Sequence, residues 1–118
     1  MRHEQIEDFL KKLTSSGLFS GMYVVSRDGM PIFSKSFEKV NTDTFSAMSA
    51  VLLGASDTIT TMLMDDISII YIRGEKYTTH IYPLDERSLF ISICNKEDEV
   101  KAESTLRDVF STMPKTSK

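Results

Sequence analysis

The residues able to do chemistry are few and scattered. The chain carries two histidines, His3 and His80, and one cysteine, Cys94. His3 lies beside the N-terminus. His80 sits in the run Thr78-Thr79-His80-Ile81-Tyr82, a strand-like composition in which a hydrogen-bonded or solvent-facing histidine is the ordinary outcome. Cys94 closes an apolar run and reads as a buried, inert thiol in a reducing compartment. Asp57, Asp65 and Asp66 come nearest to a metal-binding set. Asp65 and Asp66, however, are neighbours where a helix gives way to a strand, and neighbours on an extended chain point to opposite faces. The sequence has no phosphate-cradling glycine loop, no dinucleotide fingerprint and no HExxH pair, and no cysteine–histidine spacing suits zinc. The expectation is a protein without catalytic residues, cofactor or metal.

Composition narrows the class further. With 118 residues, 41% of them hydrophobic, the chain is long enough to bury one core. Residues 1–114 are expected to form a single domain and residues 115–118 a flexible tail. The formal net charge is −3, and the lysines and arginines are dispersed (Lys11, Lys12, Lys35, Lys39, Lys96, Lys101), with no basic stripe to neutralise phosphates. Nucleic acid is therefore not an expected partner. No apolar run approaches the ~18 residues that a spanning helix requires, and the start MRHEQIEDFLKKL is charged and amphipathic rather than a secretory signal. A soluble, cytoplasmic protein without membrane insertion is expected.

The elements that would position any functional surface are well marked. Ile6, Phe9, Leu10 and Leu13 recur at i, i+3, i+4, i+7, which predicts an amphipathic helix over residues 3–15. Residues 21–27 and 30–35 read as two strands joined at Asp28-Gly29, a preferred two-residue hairpin turn in which both central positions need positive φ. Pro31 lacks a donor and suits a strand end or a sheet edge. Asn41, Thr42 and Asp43 are all competent caps for a long helix, on which Phe45, Met48, Leu52, Ala55, Ile59 and Met62 alternate spacings of three and four. That stripe is expected to face the protomer's own sheet. Three strands follow at 67–73, 76–83 and 89–94, the first two joined at Gly74-Glu75. A last helix from about residue 95 buries Leu106, Val109, Phe110 and Met113, with Pro114 ending it.

The strands are apolar on both faces: Met22 and Val24 oppose Tyr23 and Val25, and Leu89, Ile91 and Ile93 oppose Phe90 and Cys94. Both faces need cover. The order α-β-β-α-β-β-β-α satisfies this as a three-layer α/β (α+β) sandwich: a five-stranded antiparallel sheet with the long helix on one face and the terminal helices on the other. On the long helix, Ala47, Ala50, Val51, Gly54, Thr58 and Thr61 cluster roughly 120° from the Phe45/Met48/Leu52 stripe. Small side chains let helices approach closely, so this seam is expected to meet a second protomer. The run 67–72 is an apolar edge with no lysine or proline to blunt it. A two-fold dimer would cover seam and edge together.

The segment GMYVVSRDGMPIFSK followed by TFSAMSAVLLGASDTI resembles the roadblock/dynein light chain domain: an apolar strand, an Asp-Gly turn, a second strand, then an Ala/Ser-rich helix. The resemblance extends from the first helix to Met113. It implies a non-enzymatic homodimer, or a heterodimer with a sister chain, built through the long helix and third strand, that binds or regulates a Ras-like small GTPase. Carried onto this sequence, it points to a dimer surface of Ala47, Ala50, Val51, Gly54, Ile67, Ile69 and Tyr71. It also points to a GTPase surface of Ser46, Ser49, Leu53 and Asp57. The competing readings are a small-ligand sensor of GAF or PAS type and a longin- or profilin-like trafficking module. A sensor requires a cavity, which an unbroken helix and short connections do not favour, and longin domains begin with a strand rather than a helix.

Overall fold

The computed structural model describes residues 3–35 and 40–111. The expectations for Met113, Pro114 and the tail 115–118 fall outside the described residues. Helix α1 (His3–Ser15) is followed by strands β1 (Phe19–Ser26) and β2 (Pro31–Lys35), helix α2 (Thr42–Met62), and strands β3 (Ile70–Arg73), β4 (Tyr77–Pro83) and β5 (Ser88–Asn95). A single 3-10 turn over Lys96–Asp98 leads into helix α3 (Glu99–Ser111). The five strands form one sheet in the order β2-β1-β5-β4-β3, and every neighbouring pair is antiparallel.

The alternating strands build two cores. Met22 and Val24 of β1 and Phe90 of β5 pack with Phe9, Leu10 and Leu13 of α1 and with Leu106 and Val109 of α3. Phe9 meets Phe90 edge-on, with ring centroids 4.7 Å apart. On the other face Tyr23 and Val25 of β1, Ile81 of β4, and Leu89, Ile91 and Ile93 of β5 pack under Leu53, with Phe45, Ala50 and Leu52 of α2 around them. The sandwich therefore has α2 on one side and α1 with α3 on the other, as the alternation requires.

Local signals set the boundaries. Among the three candidate caps, Asn41 takes the role: its Oδ1 accepts from the Thr44 amide at 3.0 Å. The first hairpin departs from the expected two-residue turn. The Gly29 amide donates to Ser26 O at 2.9 Å and the Ser26 amide to Met30 O at 2.8 Å, so Arg27, Asp28 and Gly29 form a three-residue loop. Only Gly29 takes positive φ, at 94°, while Asp28 does not. This is the arrangement of a type I turn closed by a left-handed glycine. A Cβ on Gly29 would sit 3.1 Å from the Ala47 Cα, so the glycine also lets the turn lie against α2. The second hairpin is offset by one residue: Gly74 N donates to Tyr77 O at 2.9 Å, leaving Glu75-Lys76 as the loop.

Strand β3 is shorter than expected. Ile67 and Ile69 precede it, and Ile67 turns into the core beneath α2. The chain reaches this point through a compact stop at the end of α2. The Met64 amide donates to Thr61 O and the Asp65 amide to Thr60 O, both at 2.9 Å. This is the Schellman pattern, with Met64 at φ 59° in the position where glycine is usual. A left-handed non-glycine residue costs on the order of 1 kcal/mol, and the Met64 side chain is 90% exposed, so local packing does not offset it. Met64→Gly is expected to stabilise the protomer by about 1 kcal/mol and raise the thermal midpoint by roughly 4 °C. An unchanged or lower midpoint in calorimetry would contradict this account of the helix end.

Candidate functional site

The phase of α2 about its own axis decides what the protein offers to others. Its buried residues are Ser46, Ser49 and Leu53, flanked by the partly buried Phe45, Ala50 and Leu52. The expected sheet-facing stripe is thereby corrected: Met48 is 58% exposed, Ile59 59% and Met62 78%. The physical reason lies in the strands below. Tyr23, Val25, Leu89 and Ile91 fill the space under the helix, so the helix sits down on its serines, and small side chains permit that close approach. The bulkier stripe turns outward. At about 100° per residue, Met48, Val51, Ala55, Ile59 and Met62 share one face, and Val51 is 63% exposed.

The expected GTPase-facing set needs correction on the same ground. Ser46 is 0% exposed, Ser49 6% and Leu53 1%, all buried against the sheet, so none of them can form a surface. Asp57 alone of the four is exposed. Of the residues assigned to a dimer surface, Ala47, Val51 and Gly54 are exposed on α2, and a Cβ added at Gly54 would meet nothing within 4 Å. Ala50 and Ile67 are partly buried against the α2-side core, and Ile69 is half-buried. Tyr71 is 42% exposed on the edge strand but lies opposite His80, on the side of the sheet that α3 covers.

Edge strand β3 is tied down on that side by an ionic cluster. Arg73 donates from Nε to Glu99 at 2.9 Å and from Nη2 to Glu103 at 3.2 Å, both on α3. Its guanidinium lies 4.6 Å from the centre of the Tyr71 ring, and that ring meets His80 edge-on at 5.3 Å. Thr78 Oγ1 donates to Glu99 at 2.7 Å, and with Arg73 and Lys96 it holds the Glu99 carboxyl below its ordinary value against the opposing effect of burial. His80, expected in an ordinary strand environment, is fully buried. Thr78 and His80 share the α3 face of β4, and with Thr79 polar on the other face the sequence carries no alternation that marks it.

Little in this arrangement is suited to covalent chemistry. The Cys94 thiol is buried, and burial pushes it up to about 11, far from the thiolate a nucleophile needs. Among the described residues no group of three or more His, Cys, Asp or Glu side chains is placed to hold a metal ion. No helix among them is long and apolar enough to cross a membrane. A groove of about 530 Å³ between α1 and β2, lined by Glu7, Leu10, Lys11, Thr14, Ser15 and Phe33, is open to solvent. The exposed apolar features of the described structure include the outward stripe of α2 and the outer edge of β3.

Comparison with known proteins places the fold. The structure is similar to Myxococcus xanthus MglB, with a TM-score of 0.70 at 15% identity over 100% of this chain and 98% of that one. It is similar to a Roadblock/LC7 domain from Streptomyces avermitilis, with a TM-score of 0.63 at 13% identity, covering 80% and 82%. Profilin II of Acanthamoeba castellanii shares the architecture at a TM-score of 0.61 and 11% identity, covering 84% and 87%. Identities this low speak to fold alone. A comparison with curated protein sequences found no significant match. The family model described as the Roadblock/LC7 domain matches residues 5–93, most of the chain, and the chain belongs to the Roadblock/LC7 domain family.

Proposed function

We propose that this chain is a non-enzymatic cytoplasmic scaffold that pairs with a second copy of itself and, as a dimer, binds and regulates a Ras-like small GTPase. The observation that carries the reading is the exposed, uncharged stripe of Met48, Val51, Ile59 and Met62 along α2, in a protomer whose β3 has an open edge among the described residues. Contiguous apolar surface of this kind marks interaction sites. An isologous contact needs a patch that complements itself, and a stripe without charge does so. Strand β3, though only four residues long, lies at the end of the sheet, where a strand from a second copy can add to it. The family likeness supports the GTPase as the further partner, with Asp57 the remaining candidate contact on α2. A heterodimer with a sister chain would use the same surfaces.

In sedimentation at micromolar concentration the protein is expected to run as a dimer. Val51→Arg and Gly54→Arg should each weaken pairing roughly 100-fold, because a charge buried without a partner costs about 3 kcal/mol or more. Neither should disturb the protomer, since Val51 is exposed and Gly54 has room for a side chain. A wild-type monomer, or variants of undiminished mass, would contradict the dimer. For the partner, a Ras-like GTPase from the same genome is expected to bind with different affinity in its GDP-bound and GTP-analogue-bound forms by calorimetry. Absence of binding to either form across the Ras-like GTPases of that genome would overturn this part of the reading.

A further inference from the structure

His80 has no solvent exposure and lies on β4, next to the edge strand. Its Nε2 is 3.5 Å from Glu103 Oε1, and its Nδ1 has no hydrogen-bond partner among the described residues. Ser92, directly opposite on β5, is also fully buried, and its hydroxyl likewise has no partner among them. Directly opposed residues of an antiparallel pair have Cβ atoms roughly 5 Å apart. A proton added at Nδ1 would therefore arrive on the same side of the sheet as an acceptor that is not otherwise engaged.

The groups facing the imidazole are Glu99 and Glu103 from α3, Tyr71 and Arg73 from β3, and Ser92 and Cys94 from β5, with Thr78 and Tyr82 beside it on β4. Burial pushes the Cys94 thiol up to about 11 and the Tyr82 phenol up to about 12, so neither changes charge near neutrality. Histidine is the side chain whose ordinary titration falls between about pH 5 and 8. Glu103 is shared: it accepts from Arg73 at 3.2 Å as well as facing His80.

We propose that His80 and Glu103 form a proton-operated latch on β3, in which the protonated imidazole competes with Arg73 for Glu103 and loosens the edge strand. Arg73 is half-exposed and can exchange Glu103 for water while keeping Glu99 at 2.9 Å. The buried His80 has only Glu103 to turn to among the described residues, so β3 loses one of the two carboxylates that Arg73 holds on α3. Strand β3 is four residues long and, among the described residues, is paired only with β4, so its tie to α3 counts for much of its order. Burial holds the imidazole below its ordinary value, against the pull of Glu103. The fold therefore favours neutral His80. The stability this contributes is present above the ordinary histidine value near ~6.5 and is lost as pH falls below it. Any effect on self-association rests on the proposed use of β3 at the dimer surface; the latch itself does not.

The test is a nitrogen-detected NMR titration of the full chain from about pH 7.5 to about 5, following the imidazole resonances, the Arg73 Nε–H signal and the amide protection of residues 70–73. The Arg73 signal should move with the His80 titration, and β3 protection, corrected for intrinsic exchange, should fall several-fold. Both responses should vanish in His80→Gln, which keeps a side-chain donor but does not titrate. Glu103→Gln provides the same decision at a side chain near the surface if the first variant folds poorly. An Arg73 signal that stays still while His80 titrates, or a response that survives in whichever of these variants folds, would overturn the latch. Sedimentation at both ends of the titration separates the two readings: a monomer throughout removes the dimer, while Arg73 still decides the latch.

Discussion

The structure depends on a sheet that must be covered on both faces. Residues 22–25 of β1 are all apolar and buried, and Leu89, Phe90 and Ile91 of β5 are fully buried. These two strands are adjacent at the centre of the sheet, so their side chains fill the space on both sides. A helix laid on such a surface packs best where its own side chains are small. Helix α2 therefore meets the sheet with Ser46, Ser49 and Leu53 and carries Met48, Val51, Ile59 and Met62 on its outer side. The helix is two-sided because the sheet is.

Magnitudes indicate what the outer stripe can achieve. Four such side chains from each of two copies, already partly covered, recover about 1–2 kcal/mol apiece on full burial, roughly 8–16 kcal/mol gross. Association costs about 4–15 kcal/mol in lost freedom. The stripe alone thus about offsets the cost of pairing, and the hydrogen bonds available at β3 would tip the balance. This is why the state of β3 matters. Its anchorage through Arg73 to Glu99 and Glu103, beside the buried His80, lies on the opposite side of the sheet from α2.

Most of the architecture was legible in the sequence because it is local or periodic. The spacing of Ile6, Phe9, Leu10 and Leu13 marks α1, Asn41 marks the start of α2, and the alternation in β1 and β5 requires a two-sided core. What escaped depends on distant residues. On α2, apolar side chains lie on more than one face, and periodicity does not say which face turns inward. That choice is made by the volumes of Tyr23, Leu89 and Ile91 in strands remote along the chain. Ser46, Ser49 and Leu53, assigned to a partner surface through the family resemblance, lie on the inward face that this choice selects. The three-residue loop at Arg27–Gly29 was hidden similarly, since its shape is set partly by the approach of Gly29 to Ala47. His80 could be placed in a strand, but its burial beside Glu103 requires α3 above it.

The central claim is that the outward stripe of α2 meets a second copy of itself. Isotope-filtered NMR on a mixture of labelled and unlabelled chains reads that contact directly, through the methyl groups of Met48, Val51, Ile59 and Met62. Intermolecular contacts among these methyls, accompanied by contacts at residues 70–73, are the predicted result. Intermolecular contacts confined to α1 and β2, or none at concentrations where the chain is associated, would contradict it.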